Sequence, residues 1–145
     1  MSVYAQENVY ALPRPALLMR MRMRELERTL VRERLSHENL RVYQMAIEFL
    51  VLTKLYGRKI PRGNADLIDQ LKRAALSIPL NIAEGAGKVS RPDSAKFFAI
   101  ARGSALECGA ILDSCRALDL IETSEIDKGK AVLIGIASML SKLCR

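Results

Sequence analysis

Apolar residues recur along this chain at spacings of three and four, and nowhere alternate strictly over a useful length. That period belongs to helices packed through one face, not to strands. In the first stretch of the body Val42, Met45, Phe49, Leu52 and Tyr56 form such a stripe, while Ile47, Leu50, Val51 and Leu55 are apolar as well. More than one apolar face predicts burial beyond a single seam, and hence a subunit interface. GRKIPRG, residues 57–63, reads as the turn that ends this helix. A second stretch, about Asn64 to Gly85, carries Leu67, Ile68, Leu71, Ala74, Ala75, Ile78 and Ile82. A third, about Arg91 to Leu118, keeps a 3-4-3-4 rhythm through Phe98, Ala101, Ala105, Cys108, Leu112 and Cys115, as in coiled-coil-like packing. Ser90, three residues before Asp93, predicts its N-terminal cap, and Pro92 suits the first turn. The fourth starts at Thr123 or Ser124 and carries Ile126, Leu133, Ile136, Leu140 and Leu143. Connections of about six residues favour antiparallel neighbours. The expected fold is all-α: an antiparallel up-and-down four-helix bundle over residues 37–145, preceded by an N-terminal basic helical extension over residues 1–36.

Within the extension, residues 1–13 read as irregular, with Pro13 and Pro15 marking a break. Residues 16–35, ALLMRMRMRELERTLVRERL, are strong helix formers, and seven arginines fall between Arg14 and Arg34. Leu26, Leu30 and Val31 give a thin apolar seam. The segment reads either as a solvated or partner-packed basic helix or as an RNA-contacting arm. Its glutamates at 25, 27 and 33 argue against a mitochondrial transit segment, and the start lacks the basic-then-apolar order of a secretory signal. Met19, Met21 and Met23 are alternative candidate starts, which leaves open whether residues 1–22 are translated.

The stretch SIPLNIAEGAGK, residues 77–88, is the strongest candidate for chemistry and needs three readings. A phosphate loop of the form G-x-x-x-x-G-K-[ST] fails at Ile82 and Val89, and such loops follow a strand and open a helix. Gly85 and Gly87 are instead expected to close a helix as C-terminal caps. A catalytic reading finds one Glu and one Asn with no partner histidine. Glu84, four residues before Lys88, predicts a surface ion pair. The third reading is architectural. Pro79 has no N–H and its ring crowds the Ala75 carbonyl, a cost of roughly 3 kcal/mol in a regular helix. A bend around a neighbour is expected there, with Asn81 satisfying backbone groups freed by the proline. Pro79, Asn81, Glu84 and Gly85 are thus structural candidates.

Composition narrows the function classes. Net charge is +7 with a pI near 9.6, which favours polyanionic partners without naming one. Cys108, Cys115 and Cys144 form no CxxC, and the single histidine, His37, is distant in sequence. A disulfide framework, a metal site or a cofactor is not expected, and a reducing cytoplasm fits. No apolar run approaches the roughly 18 residues that would span a bilayer.

QLKRAALSIPLNIAEGAGKVSRPDSAKFFAIARGSALE, residues 70–107, closely resembles the four-helix bundle family named for proteins encoded in intervening sequences of bacterial 23S ribosomal RNA. The resemblance rests on R-A-A-x-S-I-P-x-N-I-A-E-G at Arg73–Gly85, S-R at Ser90 and Arg91, and F-F-x-I-A-x-G-S-x-x-E from Phe97 to Glu107. Leu40, Val42 and Tyr43 through Ala46 fit the opening helix. It covers about residues 38–144 and carries nothing over to residues 1–36. Arg102 and Pro92 depart from the residue types relatives often carry. The resemblance implies a bundle commonly assembled as a homopentamer, no catalytic residues, and a related branch of accessory proteins of diversity-generating retroelements that bind nucleic acid and a reverse transcriptase.

Charge distribution sharpens the expectation. Residues 54–102 hold ten Lys or Arg against four acids, and residues 103–127 hold one against six. Lys54, Arg58, Lys59 and Arg62 belong to one end of an antiparallel bundle, and Lys88, Arg91 and Lys96 to the other. Lys72, Arg73 and Arg102 are expected to link them along a flank. The candidate nucleic-acid-binding residues are therefore Lys72, Arg73, Lys88, Arg91, Lys96 and Arg102. The leading expectation is a non-enzymatic homo-oligomer that holds RNA or an RNA–protein complex through phosphate contacts. The alternatives are a scaffold docking a protein such as a reverse transcriptase, and a charged surface that only prevents aggregation.

Overall fold

The computed structural model describes residues 14–32 and 34–145. It is all-α: among the described residues every regular element is a helix. The chain divides into two compact units, Met1–Arg34 and Leu35–Arg145. The first holds helix α1, Arg14–Arg32. Pro15 sits in its first turn rather than outside it, since proline's fixed φ suits a position whose N–H has no helical partner. The irregular stretch expected at residues 1–13 lies outside the described residues.

The second unit opens with a 3-10 turn, Ser36–Asn39, in which the Leu35 N–H donates to Glu38 Oε2 at 2.7 Å. Four helices follow: α2 (Arg41–Lys59), α3 (Ala65–Ala86), α4 (Arg91–Ala117) and α5 (Thr123–Leu143). Each packs on the next, and α5 returns against α2. Their directions follow from paired contacts. Arg102 meets Ser141, Asp113 meets Lys130 and Arg116 meets Asp127, so α4 and α5 run antiparallel. Ser77 with Ser104, and Gln70 with Glu107, set the same relation between α3 and α4. Tyr56 reaching Glu125, with Met45 beside Gly135, sets it between α2 and α5.

The core follows the stripes read from the periodicity, except that Leu143 is exposed and Leu67 and Ile68 are only half-buried. All six residues of the α4 rhythm, Phe98 through Cys115, are buried. So are Leu71, Ala74, Ala75, Ile78 and Ile82 of α3 and Ile126, Leu133, Ile136 and Leu140 of α5. In α2, Val42, Phe49 and Tyr56 are buried while Met45 and Leu52 pack half-buried at the edge. Each large aliphatic side chain so removed from water contributes about 1.5–3 kcal/mol.

Four local expectations change. The turn at residues 57–63 starts later, because Gly57 to Lys59 remain helical and only Ile60 onward leaves the axis. Gly57 faces α3, where a Cβ would stand 3.4 Å from Ile68 Cγ2. Gly85 does not cap a helix: it lies within α3, buried, and a Cβ there would stand 2.8 Å from the Phe98 ring and 3.1 Å from the Ser94 carbonyl oxygen. Its missing side chain lets α3 and α4 touch. Gly87 does take the cap position, at φ −86°, with its N–H donating to the Ala83 and Glu84 carbonyls. Pro79 is buried inside a continuous helix. Asn81 Nδ2 donates to the Ser77 carbonyl at 2.8 Å and to Ser77 Oγ at 3.0 Å, not to the Ala75 carbonyl that the proline deprives of its donor. Asn81 instead joins a polar seam, since Ser77 Oγ lies 2.8 Å from Ser104 Oγ on α4. The connections between α2, α3, α4 and α5 span residues 60–64, 87–90 and 118–122, shorter than the six expected.

Candidate nucleic-acid interface

The basic side chains separate into those already engaged and those held open. Lys88 is engaged twice: Nζ lies 2.5 Å from Glu84 Oε1 and 4.7 Å from the centre of the Phe97 ring. The expected i,i+4 pair is therefore present, with a cation–π contact added. Arg91 donates from Nε and Nη2 to the Arg145 carbonyl oxygen at 3.2 and 3.0 Å. Arg102 Nε donates to Ser141 Oγ at 2.8 Å, and Arg73 Nη2 to Gln70 Oε1 at 2.6 Å. Lys96 is exposed near the start of α4.

Lys72 belongs elsewhere. With Lys54 and Arg58 of α2 it lines an open cleft of about 450 Å³, whose remaining walls are Leu50, Thr53 and Gly57. A second depression of about 380 Å³ shares Gly57 and Lys72 and adds Arg62 and Asp69. The ion pairs among the described residues involve Arg41, Lys59, Lys88, Arg116 and Lys130, and none uses Lys54, Arg58, Arg62 or Lys72. Lys54 and Arg58 are one helical turn apart on α2, and the bare Gly57 leaves the floor between them and Lys72 low. Three cations lining one cleft offer a positive surface that attracts a phosphate.

The flank expected to join the two basic ends is not formed. Arg102 is turned to α5 through Ser141, whereas Lys72 faces the α2–α3 side. The six selected residues thus do not come together: Lys88, Arg91 and Lys96 belong to one end and Lys72 to the other. Lys54 and Arg58 were legible as an i,i+4 pair at the end of α2, but their convergence with Lys72 depends on how α2 and α3 are set against each other.

Cys108 and Cys115 are fully buried in the core. Burial, with the Glu107 charge adding, pushes the Cys108 thiol up to about 12, and burial raises Cys115 too. A thiol so held is inert at neutral pH. Tyr56 is raised first by burial and then by the Glu125 charge, and its hydroxyl donates to the Glu125 carbonyl at 2.8 Å. Among the described residues no three His, Cys, Asp or Glu side chains gather as metal ligands, and no helix is long and apolar enough to cross a membrane.

An all-helical chain with a cationic cleft and with Cys108 and Cys115 buried in its core is, by class, a helical protein. It belongs to the 23S rRNA-intervening sequence protein family, whose profile matches residues 38–142. Among solved structures it is similar to a protein of unknown function from the S23 ribosomal protein family of Bacteroides thetaiotaomicron VPI-5482, at 22% identity and a TM-score of 0.64. That match covers 72% of this chain and 98% of the other, and at this identity it speaks for the fold alone. No curated protein matches the chain.

Proposed function

We infer that this chain is an antiparallel up-and-down four-helix bundle acting as a non-enzymatic homo-oligomer that binds RNA through phosphate contacts. The observation that carries the reading is the cleft of Lys54, Arg58 and Lys72, three cations from two helices with no carboxylate partner among the described ion pairs. The family's link to ribosomal RNA intervening sequences supports it. Binding of this kind reads backbone charge rather than base edges, and each phosphate neutralised releases counterions. Copies arranged in a ring would multiply the cleft around one assembly. Self-association is supported by the outward stripes Ile47, Val51 and Leu55 on α2 and Leu76 and Leu80 on α3, all of them exposed.

The test is affinity for a structured RNA as a function of salt. Affinity falls steeply between 50 and 200 mM salt, as it does for proteins with several phosphate contacts. The variant K54E/R58E/K72E loses most of that affinity and lowers the logarithmic salt slope by about 2–3. K88E/R91E/K96E has the smaller effect, because two of its three side chains already have partners. A flat salt response, or wild-type affinity in the first variant, overturns the reading.

The same exposed aliphatic stripes favour a second reading, in which the assembly docks a polypeptide such as a reverse transcriptase without touching nucleic acid. Under that reading partner capture survives both nuclease treatment and moderate salt, and is lost on changing Val51 and Leu80 to Glu.

A further inference from the structure

One residue of the α2–α3 groove does not fit phosphate binding alone. The two depressions share Gly57 and Lys72, so they form one groove along the contact of these helices. Lys54 and Arg58 line it from α2, Arg62 from the connection that follows, and Lys72 from α3. Asp69 lines it too, exposed and one helical turn before Lys72. An ionised carboxylate opposes phosphate, because it is negative and has no hydrogen to donate. Asp69 also takes part in none of the ion pairs among the described residues, so neither Lys72 nor Arg62 neutralises it.

The other walls narrow what Asp69 could meet. Thr53 already donates its hydroxyl to the Leu50 carbonyl at 2.7 Å, and the remaining lining is aliphatic apart from the four cations. A base gains most from a ring to stack on, and the residues that line this groove bring none. A nucleic acid lying here therefore presents its sugar–phosphate edge. That edge consists of acceptors with one exception, the ribose 2′-hydroxyl, which donates as well as accepts. A carboxylate accepts only, so this hydroxyl is the backbone group that Asp69 can bind.

We propose that Asp69 accepts the 2′-hydroxyl hydrogen of a nucleotide whose phosphate is held by Lys72, and so makes the groove selective for RNA over chains lacking that hydroxyl. The proposal rests on the phosphate reading of this same groove. In one nucleotide the 2′-hydroxyl and the 3′-phosphate sit on adjacent carbons of the sugar. Residues three apart on a helix stand about 5–6 Å apart at their Cβ atoms, so Asp69 and Lys72 are spaced to address both groups together. The selectivity has an attractive and a repulsive part. With ribose, the hydroxyl bond offsets the repulsion between Asp69 and phosphate. Without the hydroxyl, only the repulsion is left.

The experiment compares an RNA hairpin with the same hairpin carrying 2′-fluoro in place of every 2′-hydroxyl. Fluorine keeps the phosphates and the helix form but has no hydrogen to give. The full chain is expected to bind the RNA hairpin about tenfold more tightly, the worth of one hydrogen bond to a charged group. Asp69→Ala, at an exposed helical position that suits alanine, binds the two hairpins alike, and binds the fluorinated one more tightly than the wild type does. Equal wild-type affinities, or a preference that persists in Asp69→Ala, overturns the role of Asp69 and leaves phosphate binding standing. Failure of the wild type to bind either hairpin at about 50 mM salt overturns both.

Discussion

Gly85 shows how much one missing side chain can decide. The space a Cβ would need there is filled by the Phe98 ring and a backbone carbonyl, and neither can move without opening the α3–α4 contact. Gly85→Ala is expected to destabilise the fold by about 1–3 kcal/mol, the range for overpacking a filled site, as a shift of the denaturant midpoint. The sequence offered Gly85 as a helix cap because glycine after an apolar repeat most often has that role. Only the approach of a second helix distinguishes a cap from a contact, and that approach is not written in local spacing. The buried thiols give a second prediction at this scale. Cys108 stays protonated in the folded state up to about pH 12, against an ordinary value of 9.0. Above pH 9 the unfolded chain therefore gives up this proton while the folded chain keeps it. Stability is fully present below pH 9 and falls at up to about 1.4 kcal/mol per pH unit from this thiol as pH rises towards 12. Urea titrations of the wild type and Cys108→Ala between pH 8 and 11 check the sign, since the variant's curve is the flatter. Tyr56, also raised, adds to the loss above pH 10.

At the scale of single elements, helix existence and core faces were legible and helix ends less so. The α4 stripe was readable whole because its 3-4-3-4 rhythm holds through Phe98–Cys115 without a polar interruption. The α4 start was readable too: Ser90 Oγ accepts the Asp93 N–H at 3.2 Å, and its hydroxyl donates to Asp93 Oδ2 at 2.5 Å. Ser90→Ala should cost about 1 kcal/mol, measurable by thermal unfolding. The end of α4 carried no such signal. Asp119 adopts φ 52°, the left-handed region, so that the Leu120 N–H reaches the Cys115 carbonyl at 2.9 Å and its own N–H reaches Arg116 at 3.1 Å. This is the glycine-type helix stop built on an aspartate. Asp119→Gly relieves the crowding of a Cβ in that conformation and is expected to raise stability by about 1 kcal/mol, read as a higher midpoint with an unchanged m-value.

For the whole molecule, net charge was evident from composition, but its arrangement was not. The basic-to-acidic switch along α4 pointed to a basic and a more acidic end, but α5 brings Glu125 beside Lys59, so the acidic stretch shares an end with the basic turn after α2. Which cations remain open is settled largely by partners distant in sequence, such as Ser141 for Arg102 and the Arg145 carbonyl for Arg91, while Lys88 is held by the local Glu84 and by Phe97. Lys72 is separated from the residues it was grouped with because α3 presents it to α2. Under the proposed function, binding depends on helix placement, and the salt dependence of K54E/R58E/K72E tests that dependence.

The return of α5 to α2 carries a kinetic meaning. Contacts between α2 and α3, α3 and α4, and α4 and α5 join neighbours along the chain, so they close small loops and form quickly. Tyr56 with Glu125 and Gly129, and Met45 with Gly135, instead bridge most of the body and cost the most loop entropy. That latch should be absent from the rate-limiting barrier. In stopped-flow chevrons Gly129→Ala would then steepen the loss of the native state by accelerating unfolding while leaving the refolding limb almost untouched. Its lifetime, more than its speed of formation, hangs on the place where α5 meets α2.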